Sequence, residues 1–357
     1  VVGSDAGRLE STLQARLKSV EAERQALLRQ LSQRPKVMAP QESTPVNLPV
    51  YRRGSVHNPG EVVPRGVLTV AFQSPVPAIP ADLSGRRELA EWIVNPANPL
   101  TARVYVNRVW HWVFGAGLVR SVDNFGTTGD APSHPELLDD LARRFLEQGG
   151  STHWLVRQLV ESRTFRQAGQ TRPEWTAADP DNRLLGRFAR RRLEAECLRD
   201  AMLTLSGELD LTDPDGPTYE PGREADYGFV ASGVRRSVYL PAFRNAPAEM
   251  LTVFDQADPS RVVGARNRST VAPQALFLMN HPFVRERARR TAQRCLERAG
   301  NDGDRWEWLV RSALGRGPTA GETAIAERAL QTDGDPVEIW TDLVHALMAS
   351  MDFRDVE

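Results

Sequence analysis

Lysine is the scarcest charged residue type in this 357-residue sequence. Only Lys18 and Lys36 are lysines among 45 basic residues, so arginine carries almost all of the positive charge. The 46 acidic residues bring the formal net charge to −1, which leaves no overall field toward nucleic acid or an anionic membrane, and we expect neither partner. Arginine suits bidentate contacts and buried ion pairs, although a GC-rich genome is the simpler explanation of the bias.

Cysteine and metal-binding patterns are also sparse. Cys197 and Cys295 form no CxxC, CxxCH or zinc-ligand spacing, and the six histidines form no HxH or HExxH pattern. We therefore expect no metal site and no cofactor in this chain. The sequence leaves open whether the two cysteines pair, and buried thiols are the expected state. No apolar run approaches the roughly 20 residues of a membrane-spanning helix.

The motifs of several common catalytic classes are missing as well. The sequence contains no GxSxG, P-loop or GxGxxG pattern, and it gives no support to covalent serine or cysteine catalysis. Acid–base chemistry between two carboxylates stays open, because such pairs are recognised by distance rather than by spacing. Structural salt bridges are the competing interpretation for the candidate carboxylates, which are Asp123, Asp139, Glu196, Asp200 and Asp255.

Composition and periodicity indicate a globular protein rich in helices. Hydrophobic residues make up 41% of the chain and charged residues 25%, which is typical of soluble domains. We predict a mainly α, multi-helix globular domain with a small β element, preceded by an N-terminal helix and a Pro-rich extended arm. The expected boundaries are 1–34 for the helix, 35–81 for the arm, 82–300 for the main helical domain, and 301–357 for C-terminal helices packed on it.

Residues 5 to 33 have the heptad pattern of a charged, coiled-coil-like helix. Its seam consists of Leu13, Leu17, Val20, Leu27 and Leu31, with Arg24 as an interruption. Three heptads are short for a free coiled coil, so we expect packing against an upstream helix or the main domain, with partner binding as the alternative. The chain starts at Val1 without a signal peptide, and we expect it to be part of a longer protein.

Nine prolines between residues 35 and 80 predict an extended arm rather than helix, because proline fixes φ and removes backbone donors. Short apolar pieces at 46–48, 62–63 and 68–70 can pair as edge strands. The pairs and triplets at 53–54 and 58–60 are turn signals.

The stretch from 86 to 126 is expected to organise the main domain. Asn98 can cap a helix whose first residue is Pro99, and Gly115 ends it. Side chains four residues apart share a helix face, which predicts a polar face on this helix. This polar face and two downstream residues are expected to form a candidate polar pocket, which consists of Arg103, Asn107, His111, Asp123 and His134. His134 lies in a helix start where Ser133 and Glu136 have capping-box spacing.

A long helix is predicted from about 182 to 207, and a strand from 234 to 241. The polar side of that helix predicts a structural ion network of Arg192, Glu196, Arg199 and Asp200, because the acidic pair is spaced i,i+4 with arginines between. A solvated charged face is the alternative. Residues 208 to 234 read as a long surface loop.

Nine ordered stretches resemble the planctomycete-specific domain of unknown function that forms the C-terminal half of large exported planctomycete proteins. They are RGSVHNPGEVVP, NPLTARVYVNRVWHWVFGAGLV, DNFG, HPELLDDLA, DPDNRLL, RRLEAECLRDAM, RRSVYLP, FDQADPS and STVAPQALFLMN. The resemblance covers nearly the whole chain from about Arg53. One departure is the DNFG corner at 123–126, where the family usually has an Asp-rich DFG corner, and it weakens a metal site there.

The resemblance implies context rather than chemistry. In that family the domain follows a cytochrome-c-like domain and a second planctomycete-specific domain. It therefore implies export to the periplasm or cell envelope, haem c on a fused or neighbouring domain, and partners among the upstream domains or envelope proteins. The family has no established activity and no assigned catalytic residues, so none can be transferred.

Two functions follow from the sequence, and a third class is an electron-transfer docking surface, which would be an exposed patch beside a haem partner. The first is a non-catalytic scaffold or interaction domain of an exported, cytochrome-c-associated protein, in which the polar motif residues hold helices together. The alternative is a cell-envelope enzyme or glycan-binding domain with a polar pocket near the helix from Pro99 and the DNFG turn. Convergence of the five pocket residues on an open cleft favours the alternative, whereas burial against backbone groups favours the scaffold.

Overall fold

The computed structural model describes residues 2–33, 41–68, 77–170, 172–214, 233–244 and 246–356. Over this part of the chain, helices and strands are numbered in chain order. The helices are α1 (Val2–Gln33), α2 (Arg86–Val94), α3 (Pro99–Phe114), α4 (Pro135–Glu147), α5 (Thr152–Val160), α6 (Pro173–Ala178), α7 (Ala195–Ser206), α8 (Glu249–Val253), α9 (Ala272–Asn280), α10 (Pro282–Glu297), α11 (Asp302–Leu314), α12 (Ala320–Leu330), α13 (Pro336–Ala349) and α14 (Met351–Arg354). The strands are β1 (Pro49–Tyr51), β2 (Pro59–Val62), β3 (Arg191–Arg192) and β4 (Asp355–Val356). The predicted mainly α class with a small β element is confirmed, since 53% of the residues are helical and the strands form two two-stranded sheets.

The chain divides into two compact units. The first comprises residues 1–65 and 79–85, and the second comprises 66–78 and 86–357. In the first unit, α1 is one continuous helix, and its side chains from Leu13 to Leu31 are all exposed. The antiparallel hairpin β1–β2 follows, with its turn at Arg53 and Gly54, both at positive φ. The predicted turn at 53–54 is therefore confirmed, whereas residues 59 and 60 belong to β2.

The larger of two hydrophobic clusters in the second unit contains 23 buried residues between Ala195 and Phe353. Helices α10 and α13 pack along one another at its centre, where Ala288 and Val344 have no exposed surface. Small residues such as alanine on α10 let the two helix axes approach closely. This cluster is built mainly by α7 to α14, so the C-terminal helices share one core with α7 and α10.

The smaller cluster contains 14 buried residues between Ala102 and Phe188, contributed mainly by α3, α4 and α5. As predicted, the Asn98 side chain accepts a hydrogen bond from Leu100 N, Pro99 takes the first helical position, and Gly115 ends α3 at φ +85°. Trp110 and Phe114 stack one turn apart at 4.2 Å between ring centroids. The segment 86–126 thus centres the smaller core, while the larger core forms elsewhere.

The predicted helix from 182 to 207 is wrong over its first half. Both carboxylate oxygens of Asp179 accept backbone N–H groups, from Arg183 at 2.8 Å and Leu184 at 2.7 Å. Asn182 and Leu185 then adopt positive φ, which no α-helix contains. Local side-chain-to-backbone bonds of this kind compete with helix formation, so α7 begins only at Ala195.

Two other local predictions also differ from the structure. The Ser133 capping box is not formed, because α4 begins at Pro135 with His134 as N-cap, and Ser133 Oγ instead lies 3.0 Å from His134 Nδ1. The strand expected at 234–241 is a 3-10 turn at Ser237–Tyr239 with one bridge between Asp210 and Arg235. The backbone N–H of Ser237 bonds to the Asp200 carboxylate at 2.8 Å, so it is not available to a ladder.

Several predictions fall partly or wholly outside the described residues. They are the extended segment at 69–70, the arm residues at 35–40 and 71–76, and most of the loop at 208–234. The expected domain boundaries stay predictions. None of the helices in the described part of the chain has the length and apolar character needed to cross a membrane.

Glu322 joins three elements near the end of the chain. Its carboxylate accepts from both Arg316 terminal nitrogens, at 2.9 and 2.8 Å, and from Thr319 N at 2.7 Å, completing the capping box of α12. Arg316 also donates to Asp352 of α14 at 2.7 Å. The Arg316 guanidinium is the main reason that the pKa of Glu322 falls to about 2.

We predict that Glu322→Gln lowers the free energy of unfolding by about 1–2 kcal/mol at pH 7, since it removes a bidentate ion pair and leaves only a neutral amide oxygen for the cap. A carboxyl group with a depressed folded-state pKa stabilises above its unfolded value and loses that effect as pH falls. The difference between wild type and variant should therefore shrink between pH 4.5 and 2. Urea unfolding over that range measures it, and Glu327→Gln at an exposed position of α12 is the control.

Candidate functional site

A cleft of about 440 Å³ lies in the second unit, between the C-terminal turn of α3, strand β3 with the start of α7, and the connection between α8 and α9. Four arginines line it, an unusual concentration of positive charge for a chain of net charge −1. The lining residues are His111, Trp112, Arg191, Arg192, Leu193, Glu194, Cys197, Ala257, Val263, Gly264, Arg266 and Arg268.

A buried polar network around Asp255 anchors one wall of the cleft. Asp255 adopts positive φ at 63° and accepts hydrogen bonds from Arg192 Nη2 at 2.5 Å and from Ser269 N at 2.8 Å. Gln274, which is 1% exposed, donates to Val253 O at 3.0 Å and to Ser269 Oγ at 3.2 Å. Burial opposes ionisation, yet the bonds from Arg192 and Ser269 hold the pKa of Asp255 below its ordinary value. The wall is therefore preorganised around a carboxylate.

The four arginines of the cleft fall into two classes. Arg192 pairs with Asp255, and Arg266 pairs with Glu196 at 2.6 Å and with Glu194 at 3.5 Å. Arg191 and Arg268 form no ion pair with any carboxylate of the described residues. The paired arginines are structural, whereas the other two lack an ion pair, and the charge of Glu194 acts on Arg191 only from beyond ion-pair distance.

Arg191 and Arg268 both reach the C-terminal end of α3. Arg191 Nη1 donates to Trp112 O, and Arg268 Nη2 donates to Gly115 O at 3.3 Å. A Cβ built on Gly115 would lie 3.6 Å from Arg191 Cδ and 3.6 Å from Arg268 Nη1, so both side chains pass the same glycine. Burial and the charge of Arg268 lower the pKa of Arg191. The two cations therefore disfavour one another.

His111 lies beside these arginines on the last turn of α3. Its Nδ1 is buried and has no hydrogen-bond partner among the described residues. Burial lowers the pKa of His111, and Arg268 and Arg191 lower it further, against the opposing charges of Glu194 and Asp123. Because the ordinary value is 6.5, His111 is neutral at pH 7 and can both donate and accept a hydrogen bond.

Cys197 lies in the first turn of α7 and lines the cleft as an exposed free thiol, while Cys295 is free and buried in the larger core. Partial desolvation of the thiol and the charges of the neighbouring Glu194, Glu196 and Asp200 raise the pKa of Cys197. The reactive thiolate form is therefore disfavoured at neutral pH. The structure answers the pairing question left open by the sequence, since neither cysteine is in a disulfide.

The five predicted pocket residues do not converge. Asn107 has no exposed surface, and its side chain bonds to Val119 twice, donating to the carbonyl at 3.0 Å and accepting from the N–H at 2.8 Å. Gly117 is required beneath it, because a Cβ there would lie 2.8 Å from Asn107 Nδ2. Asn107 thus joins α3 to the chain that follows it and does not face the cleft.

The other four residues separate as well. Arg103 forms an exposed ion pair with Asp139 of α4 at 2.7 Å, and His134 caps α4. Asp123 pairs with Arg108 at 3.2 Å and packs directly against the backbone of Gly264. Only His111 of the five lines the cleft, with Asp123 near its edge.

The four residues of the expected ion network are split among different partners. Arg192 bonds to Asp255, and Glu196 bonds to Arg266. Arg199 is only 4% exposed and lies 3.6 Å from Asp200, but its guanidinium donates hydrogen bonds to the carbonyls of Arg235 and Gly233. The expected network assumed one helix through residue 192, and that residue is in β3.

Sequence reasoning missed Arg191 and Arg268 as a pair, because 76 residues, among them α7 and α8, separate them in the chain. The motifs RRLEAECLRDAM and FDQADPS both contribute residues to the walls of the cleft, as does the run at 266–270. The shared presence of the two motifs in the family resemblance was the one indication in the sequence that their segments belong together. No group of three or more His, Cys, Asp or Glu side chains in the described residues is arranged to hold a metal ion.

Substitutions of Asn107 and Arg103 compare the loss of a buried hydrogen-bonding side chain with the loss of an exposed ion pair. We predict that Asn107→Ala lowers the free energy of unfolding by about 2–4 kcal/mol, because it leaves the buried N–H and carbonyl of Val119 without hydrogen-bond partners. Arg103→Ala should cost at most about 1 kcal/mol, since its ion pair is solvent-exposed. Chemical denaturation measures both, and equal losses would contradict the assignment.

His111 should make the protein acid-sensitive. The unfolded state takes up a proton near pH 6.5, while the folded state resists it, so stability falls as pH drops below 6.5. We expect wild type to lose stability relative to His111→Gln between pH 7 and 5, with a slope of at most about 1.4 kcal/mol per pH unit. Thermal unfolding of both proteins across this range measures the difference.

The family model described as PSD1, protein of unknown function (DUF1553), matches residues 85–330. The matched region includes every residue that lines the cleft. No curated protein and no solved structure matches this chain. The predicted resemblance is confirmed to the extent that the matching family is a domain of unknown function. Because the match covers more than half of the sequence, this chain belongs to the PSD1 family, a family of proteins of unknown function.

Proposed function

We propose that this chain is a non-catalytic interaction domain that holds its partner at the arginine cleft. The observation that carries the proposal is the pair Arg191 and Arg268, two guanidinium groups in one cleft with no carboxylate partner among the described residues. A monomer gains nothing in stability from placing two like charges together, so the arrangement is best explained by an anionic group from outside the chain.

The remaining chemistry of the cleft supports binding rather than catalysis. The carboxylates of Asp255 and Glu196 are engaged in ion pairs with Arg192 and Arg266. The thiol of Cys197 is kept protonated by its surroundings, since burial raises its pKa. These two carboxylates and the thiol are therefore not available to a nucleophilic or acid–base mechanism.

The cellular context of the proposal comes from the family resemblance. We propose that the domain acts in the periplasm or cell envelope as part of an exported protein. Haem c would reside on a fused or neighbouring cytochrome-c-like domain of planctomycete type. The partners held by the cleft would be the upstream domains of the same polypeptide or an envelope protein.

One observation favours the second candidate, a cell-envelope enzyme or glycan-binding domain. His111 has an unpartnered Nδ1, and Trp112 beside it is 56% exposed at the same cleft. A neutral imidazole is a potential general base, and an exposed indole is a platform for a sugar ring. Turnover of an envelope glycan that is lost in His111→Gln would establish this candidate instead.

The interaction function is tested by affinity capture from envelope extract with the 357-residue chain immobilised. We expect wild type to retain a defined set of proteins, and Arg268→Glu to lose it, because charge reversal repels an anionic partner. Arg268 is exposed, so this variant should fold.

Arg328→Glu, at an exposed position of α12, makes the same change in net charge and is the matched control. It should retain the captured set. Identical capture by wild type and Arg268→Glu would contradict the role of the cleft, and capture in 0.5 M salt that is undiminished would contradict its electrostatic character.

A further inference from the structure

The positive charge at the cleft exceeds what the fold supplies to neutralise it. The C-terminal end of α3, where Arg191 and Arg268 donate to Trp112 O and Gly115 O, carries about half a negative elementary charge. Two guanidinium groups carry two positive charges. Helix capping therefore accounts for the position of the arginines but offsets only about a quarter of their charge. The carboxylate of Glu194, which also lines the cleft, acts on Arg191 only from beyond ion-pair distance.

Both arginines also keep free donor capacity. A guanidinium has five N–H groups in a planar fork, and the described residues accept from one N–H of Arg191 and one of Arg268. The remaining donors match the oxygens of a phosphate, which arginine binds in bidentate geometry. A single tetrahedral anion can thus bond to both side chains at once.

Two buried polar atoms on the cleft lining lack a partner in the described structure, His111 Nδ1 and Arg192 Nε. Buried polar atoms in folded proteins are nearly always hydrogen-bonded, and one that is not calls for an explanation such as a bound ion or water. Their place beside Arg191 and Arg268 is an observation independent of the charge count. It also points to a polar ligand.

The cleft also has apolar surface and is larger than one anion needs. Trp112, Leu193 and Val263 contribute apolar surface, and Trp112 is 56% exposed. A volume of about 440 Å³ falls within the range of sites for small organic molecules. The ligand is therefore an anion attached to an organic body.

We propose that the cleft binds a phosphate monoester, with the phosphate between Arg191 and Arg268 and the organic group against Trp112. A monoester is close to a dianion above its second pKa near 6, so it can bring one charge to each of the two guanidinium groups that lack an ion pair. A sulfate ester or a carboxylate has one charge and matches only one. This inference rests on the proposed interaction function and gives the chemical class of group that the cleft recognises.

Isothermal titration of the 357-residue chain with phenyl phosphate, phenyl sulfate and benzyl alcohol tests the proposal at pH 7.5 and fixed ionic strength. These ligands share a ring and differ in charge. We expect phenyl phosphate to bind at least tenfold more tightly than phenyl sulfate, and benzyl alcohol to give no measurable binding. Equal affinity for the two esters would overturn the proposal, as would no binding of phenyl phosphate at millimolar concentration.

The variants Arg191→Gln and Arg268→Gln each remove a charge but keep an amide donor for the α3 carbonyl. We expect each to weaken phenyl phosphate binding at least tenfold, while Arg328→Gln binds as wild type does. Circular dichroism checks folding, and the exposed Arg268 keeps the test decisive if the half-buried Arg191 variant does not fold. Wild-type affinity in a folded Arg268→Gln would refute the site.

Failure of this inference is distinguishable from failure of the interaction function. Charge-sensitive capture of an envelope protein without phenyl phosphate binding refutes the ligand class and leaves the function standing. Phenyl phosphate binding that depends on Arg268, with capture that ignores the charge of Arg268, supports the site and refutes the function.

Discussion

The cleft depends on the ion pair between Arg192 and Asp255. Arg192 is in β3, and Asp255 ends α8 in a left-handed conformation, so the pair ties two segments that are otherwise irregular. With 13% and 15% of their side chains exposed, the two charges need one another, because a charge left alone at such burial is costly. Ser269 and Gln274 complete the set of hydrogen bonds. Arg192 is thereby committed to Asp255, whereas the neighbouring Arg191 forms no ion pair with the described residues.

The correct predictions concern interactions between residues that are close together in the sequence. The cap at Asn98, proline at the first position of α3 and the glycine stop at Gly115 are local interactions, and each was recognised correctly. The polar face of α3 was also recognised, but its residues face different surroundings, which helix periodicity cannot distinguish. Asn107 turns into the protein toward Val119, whereas His111 reaches the cleft.

The errors also have local physical causes. Helical periodicity before Ala195 is real, yet the carboxylate of Asp179 captures the N–H groups of Arg183 and Leu184 that a helix would need. The walls of the cleft could not be derived from spacing, because Arg191 and Arg268 meet only after α3, β3 and the α8–α9 connection pack together. Tertiary packing decides such sites, and it leaves little trace in the periodicity of one chain.

The pairing of β3 with β4 has a consequence for how the protein is made. Two of the four cleft arginines, Arg191 and Arg192, form a two-residue strand whose partner is 355–356, and Arg190 bonds to Asp355 across 165 residues. At 5–20 residues per second, the ribosome needs roughly 8–33 seconds to produce the partner after residue 190. The smaller core can close during that interval, since all its residues precede 190. The β3 wall of the cleft, in contrast, gains its strand partner only after residues 355–356 have been made.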